Sequence, residues 1–269
     1  MIRKPAVAGY FYPSNRNELL SLISSFHVQQ SEVSCQPIGV VVPHAGIVYS
    51  GRTAMYSYNA LRNSSIRDFI IIGPNHRPMT PYASIFPSGS WETPLGNAII
   101  NEELASELYK NSQYIVKDEE SHSVEHSIEV QIPFLQYMFG NSFTFVPVIL
   151  GDQEKVVAND IASALMRLSK PYILIASSDF THYERSDIVE RKDMDLISRI
   201  VDLDIDGFYD TIERENVTAC GYGAIAILMI IAKKIGAKIS LLNHSNSGDV
   251  TNDYDEVVGY SSIVACRQI

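Results

Sequence analysis

Four short apolar runs limit what this chain can fold into. Ile38–Val42, Phe69–Ile72, Tyr172–Ala176 and Ile239–Leu242 carry no charge. Runs this short, rich in Ile, Val and Leu, suit strands buried on both faces, as in a parallel sheet covered by helices. Each run ends in a polar turn that delivers a histidine. The turns are Pro43-His44, Gly73-Pro74-Asn75-His76, Ser177-Ser178-Asp179-Phe180-Thr181-His182-Tyr183 and Asn243-His244. The chain has only seven histidines, so their placement at strand ends is its main functional signal. In open α/β sheets, ligands bind outside the carboxyl ends of the strands.

Helical stretches alternate with strands along most of the chain. Helices are expected from a cap at Ser14 or Asn17 to about Phe26, then over 52–61, 102–111, 155–168, 186–201 and 206–215. Residues 122–139 read as a helix that Pro133 either kinks or starts. Residues 218–223 open an apolar helix to about Ile235. Further strands are expected over 143–150 and 257–265. Residues 77–99, with the only Trp and several prolines, read as a long loop or a hairpin excursion. No linker divides the chain. The expectation is an α/β fold and a single domain over 1–269, with a mostly parallel or mixed central sheet and helices on both faces.

Composition narrows the function classes. A net charge of −10 argues against nucleic acid or an anionic membrane as the main partner. Three widely spaced cysteines make no disulfide framework. Cys35 and Cys266 read as buried, inert thiols, in keeping with a reducing, cytoplasmic setting. No long apolar stretch follows Met1, and Ala224–Ala232 is too short to span a bilayer and reads as a core helix. The absence of G-x-G-x-x-G, P-loop and G-x-S-x-G patterns argues against nucleotide-dependent and serine-hydrolase chemistry.

His44, His76 and His182 suit a metal or acid–base site, because imidazole is the commonest metal ligand and a general base near neutral pH. Cys220 precedes a glycine at a helix start, where the helix N-terminus favours thiolate for a metal or for nucleophilic attack. Asp179 can orient a histidine, bind metal or cap a turn. His122-Ser123-Val124-Glu125-His126 matches H-x-x-E-H, a zinc-peptidase pattern that needs a continuous helix and a third ligand. Glu125 and Glu129 otherwise read as first-turn acids, and His244 as a solvated loop histidine.

Six blocks together resemble one family. RKPAVAGYFYP, PHAGIVYSG, GPNH, EHSIEVQIPFL, SSDFTHY and ACGYGAI occur in order from Arg3 to past Cys220. They are similar to the Memo family, named for the role of its eukaryotic members in ErbB2-driven cell motility. That family is related in fold to class III (LigB-type) extradiol dioxygenases. The resemblance implies metal ligands His44, His76 and Cys220, with His182, Asp179 and His126 as catalytic residues. His122 lies outside the family pattern. In the dioxygenases a carboxylate stands where Cys220 falls, so their activity does not carry over. A His₂Cys set suits Zn, Cu or a thiolate-tuned Fe, and Fe(II) or Cu is expected ahead of Zn.

Two functions follow from the resemblance. One is a non-haem, metal-dependent oxidoreductase acting on a small-molecule or peptide ligand. The other is a non-catalytic partner-binding protein with a vestigial pocket, rimmed by residues 77–99. A zinc hydrolase is a third. Prokaryotic relatives imply a pathway link to a radical-SAM protein.

Overall fold

The computed structural model describes residues 1–28, 35–77 and 82–267. Its central layer is a twelve-stranded mixed sheet. The middle of the sheet is parallel: β2 (Gln36–Val42) and β3 (Asp68–Pro74) flank β9 (Ile173–Ser177), and β8 (Thr144–Leu150) lies beyond β3. β12 (Val257–Arg267) pairs antiparallel with β2, and β11 (Lys238–Asn246) and β10 (His182–Glu184) pair antiparallel with β12. On the other side, β6 (Gly96–Ile100) joins β8 and hairpins to β5 (Ser90–Thr93), which holds β1 (Ile2–Arg3). β4 (Ala83–Ile85) pairs with β8 and carries β7 (Ile115–Lys117).

Two hydrophobic cores explain why the middle strands lack polar alternation. Val41, Ile70, Ile72, Leu174 and Ala176 face one core. It is covered by α3 (Glu102–Asn111), α5 (Lys155–Leu165), α6 (Ser186–Val201), α7 (Ile205–Glu215) and α8 (Tyr222–Ile235). Val40, Val42, Phe69, Ile71, Ile173 and Ile175 face the other. It is covered by α1 (Arg16–Ser25), α2 (Ile47–Leu61) and α4 (Gln131–Phe139). A short α9 (Gly248–Thr251) follows β11. α8 is buried throughout Gly223–Ala232, as its apolar run requires. It presses so close to β2 that a Cβ on Gly39 would lie 2.7 Å from both Leu228 Cδ1 and the Leu174 carbonyl oxygen. Among the described residues no helix is long and apolar enough to cross a membrane.

Several boundaries differ from expectation for identifiable reasons. Asn15, rather than Ser14 or Asn17, caps α1, accepting from the Asn17 and Glu18 amides. α2 begins at Ile47, because the turn after His44 is tight enough for the helix to start at once. The described part of 77–99 is a hairpin excursion, the second of its two expected readings, and not a rim loop. It pairs into the sheet as β4, β5 and β6, and Trp91 is 1% exposed. Residues 122–130 are not helical. α4 starts at Gln131 with Pro133 in its first turn, where a missing amide costs nothing.

Cys35 and Cys266 are also corrected. Antiparallel pairing sets Cys266 opposite Pro37 and Arg267 opposite Gln36. Cys35 directly precedes Gln36 on that neighbouring strand, and it forms a disulfide with Cys266 at a Cα–Cα distance of 5.8 Å. The cysteine count therefore no longer argues for a reducing compartment. The bond spans 231 residues, and chain entropy assigns about 5 kcal/mol to so long a closure. Alkylation of the denatured, unreduced protein is expected to label Cys220 alone, with three thiols appearing after reduction and the melting temperature falling. Three reactive thiols before reduction would exclude the bond.

Candidate metal centre

Three parallel strands end at one level. Val42 is opposite Ser177, and Ile72 is opposite Ala176. The turns that follow β2, β3 and β9 therefore deliver His44, His76 and Asp179 to the same end of the sheet. Cys220 reaches them from the approach to α8. A Cβ on Gly221 would lie 2.3 Å from the Ser177 carbonyl oxygen, so only glycine lets the chain pass this close. The Cys220 amide donates to the Asp179 carbonyl (3.2 Å), and the Asp179 amide points at Cys220 Sγ (3.3 Å).

One donor atom from each of His44, His76 and Cys220 lies within 4.8 Å of the other two. Two further groups meet the same criterion: His76, Glu125 and His126, and Asp179, His182 and Cys220. They border a cleft of about 670 Å³, lined also by Phe11, Ala45, Gly46, Tyr183, Thr218 and Val258.

Hydrogen bonds fix the histidine tautomers. Ser177 Oγ donates its only proton to the Ser127 carbonyl (2.6 Å) and accepts from Gln131 Nε2 (2.8 Å). His44 Nδ1, 2.9 Å from the same oxygen, must therefore be the donor. Its Nε2 then bears the lone pair, 3.2 Å from Cys220 Sγ. His76 Nδ1 meets the Glu125 carboxylate at 2.9 Å, and His182 Nδ1 meets the Thr218 carbonyl at 3.0 Å. Both partners only accept, so Nε2 is again left unprotonated in the neutral ring. A bonded Nδ1–H that frees Nε2 is the usual arrangement of a metal-ligating imidazole.

Glu125 is the densest node. Its carboxylate accepts from His76 Nδ1 and from the amides of His76 (2.7 Å), His126 (2.8 Å) and Ser127 (2.7 Å). Burial alone would raise this carboxyl, but the His76 hydrogen bond and the nearby imidazoles hold it well below the usual carboxylate range. In turn burial acts to lower His76, while Glu125 outweighs it and raises the imidazole. Burial, with His126 and His76 beside it, keeps His44 well below its ordinary range. His126, stacked on His76 at 4.5 Å, is lowered by burial to about 4.

Asp179 keeps one of its expected roles, and other roles change. Asp179 caps the turn after β2, its Oδ1 accepting from the amides of His44 (2.8 Å) and Ala45 (3.2 Å). His182 is oriented by Thr218 rather than by Asp179. Cys220 lies two residues before α8, and burial, with the Asp179 charge, pushes its thiol up rather than down. His122 points away from the cleft into the Trp91 and Phe86 rings. With no helix beneath it, H-x-x-E-H makes no peptidase site. His244 is not a solvated loop residue: it sits on β11, and its Nε2 is 3.0 Å from the buried Asp193 carboxylate. Glu129 is no helix-end acid. It pairs with Arg3 at 2.7 Å and accepts from the Ala6 and Val7 amides and the Tyr12 hydroxyl. Ser177, Gln131, Thr218 and Phe11 were not singled out as site residues. Their blocks stand in the sequence, but their partners are 36 to 133 residues away.

The fold and cleft define an α/β protein with a His/Cys group able to hold a metal ion. The Memo-like protein family model matches residues 3–264. A MEMO1 family protein of Thermoplasma acidophilum is 66% identical over 98% of this chain and 99% of its own length. Others are 44% identical in Nitrosopumilus maritimus (98% of this chain, 99% of the relative) and 42% in Saccharolobus islandicus (97% and 98%). The chain belongs to the Memo-like family.

Glu125→Gln should weaken metal binding by roughly 10- to 100-fold, the usual effect of losing an orienting partner. A titration against a competing chelator reads this directly. Unchanged affinity would separate Glu125 from the centre.

Proposed function

We propose that His44, His76 and Cys220 hold one metal ion, and that the protein is a metal-dependent redox enzyme acting on a small molecule in the cleft. The observation that carries this reading is the convergence of three donor atoms within 4.8 Å, two of them imidazole nitrogens whose lone pairs are set by Ser177 and Glu125. Two imidazoles and a thiolate suit Zn, Cu or a thiolate-tuned Fe, and a redox role places Fe(II) or Cu ahead of Zn, which has no redox chemistry. A bound cation would deprotonate the thiol outright, reversing the effect of burial. Such an ion supplies redox or Lewis-acid chemistry at positions its protein ligands leave open.

The chain's own residues supply the rest. His182, held through Nδ1, offers Nε2 to take or give a proton at the cleft wall. His126 stacks on His76 and restricts its ring. Asp179 holds the His44 backbone through one oxygen and lines the cleft. Phe11 and Val258 make part of the wall apolar. The family's fold relation to extradiol dioxygenases and a pathway link to a radical-SAM protein belong to the same reading and are supported by the resemblance alone; a cytoplasmic setting, read from the cysteine count, loses that support to the Cys35–Cys266 disulfide.

A partner-binding role without turnover is the second reading. It is favoured by the exposure of Tyr10, Tyr49 and Tyr183, each on a segment that lines the cleft or adjoins a lining residue.

Metal content of protein purified without air, measured by mass spectrometry, should be about one Fe or Cu per chain, with binding at least tenfold weaker in Cys220→Ala. Wild-type protein that refuses Fe, Cu and Zn on titration would end the metal-centre reading. A variant that loses metal yet keeps a partner would favour the second.

A further inference from the structure

Tyr183 is held in an uncommon backbone state at the mouth of the cleft. Its φ is +57°, in the left-handed region that Gly and Asn enter more easily. The cause is a bulge. His182 pairs with Val258 and Glu184 with Val257, so Tyr183 is an extra residue with no partner on β12. Both neighbours are pinned. His182 is tied to Thr218 through its amide (2.8 Å) and its ring. Glu184 is paired with Lys192 at 2.7 Å. Packing does not explain the aromatic ring, because Tyr183 is 73% exposed. Strained backbone and bulges gather where a side chain must be aimed at a ligand.

A second aromatic residue lines the same cleft. Phe11 lies 4.5 Å from the His126 ring, while Tyr183 lies 5.6 Å from the His182 ring. Neither Lys nor Arg is among the described residues lining the cleft, and Asp179 is. Apart from the histidines and Arg77, which acts on His126 from beside His76, a carboxylate or phosphate on a ligand would find no cationic side chain among those residues.

We propose that Tyr183 is a ligand-contacting, specificity-setting residue, and that Tyr183 and Phe11 favour a flat, uncharged aromatic ring over an anionic one. The inference rests on reading this cleft as a ligand site, but the aromatic contact needs no metal. It is therefore tested on chelator-treated and zinc-loaded protein in parallel. The probe is p-cresol, with 4-hydroxybenzoate as its anionic counterpart, and binding is followed by saturation-transfer difference NMR. In both preparations, wild type and Tyr183→Phe should bind p-cresol equally. Tyr183→Asn should bind it about fivefold more weakly, the usual size of one aromatic contact. 4-Hydroxybenzoate should bind chelated wild type about tenfold more weakly than p-cresol, for want of a charge partner. Tyr183→Asn should melt no lower than wild type, because asparagine tolerates the left-handed backbone. Full binding by Tyr183→Asn, a lower melting temperature in that variant, preference for the benzoate, or no p-cresol binding by wild type would each overturn the proposal. Zinc uptake is read separately. Aromatic binding by protein that refuses Fe and Cu as well as Zn would therefore sink the metal centre and leave the aromatic contact standing.

Discussion

Ser177 lies opposite Val42 and Ala176 opposite Ile72, and the turns that carry His44, His76 and Asp179 are placed by that register. The strands are buried on both faces, so neither can slip by one residue without moving its apolar side chains to the wrong core. The turns after β2, β3 and β9 inherit their common level from this constraint. Cys220 is then brought in by α8, whose uninterrupted apolar surface fits only against the sheet.

The second level of order is a pair of buried carboxylates, Glu125 and Glu129, each fully engaged. An unpaired charge in the interior is strongly destabilising. Glu125 meets four N–H groups, and Glu129 meets Arg3, two amides and a tyrosine hydroxyl. Arg3 also donates to the carbonyls of His122 and Glu125 and lies over the Trp91 ring. The irregular segment 122–130 is thus held by charge rather than by helix. The same network ties down the N-terminal segment that supplies Phe11 to the cleft wall.

Much of this was legible in the sequence. The four apolar runs are strands, and the helices over 102–111 and 186–201 fall where periodicity puts them. The expected donors His44, His76 and Cys220 do come together. Periodicity missed what depends on distant partners. Nothing local shows that Glu125 will clamp His76, that Ser177 will set the His44 tautomer, or that Cys35 will meet a cysteine 231 residues away. The thiol was misjudged for the same reason. Position before a helix is readable, whereas burial beside Asp179 is not.

The hydrogen bonds behind the histidines also govern proton traffic. His44 Nδ1–H reaches Ser177, whose own proton rests on the Ser127 carbonyl. His182 Nδ1–H rests on the Thr218 carbonyl. A carbonyl oxygen has no proton to pass onward, so both lines are dead ends. His76 and, at 3.5 Å, His126 back onto an ionisable group, Glu125, and that carboxylate is sealed in by backbone amides. Protons therefore enter and leave this site only across its open face, and any bound molecule that covers that face isolates the site from the bulk solvent's acidity.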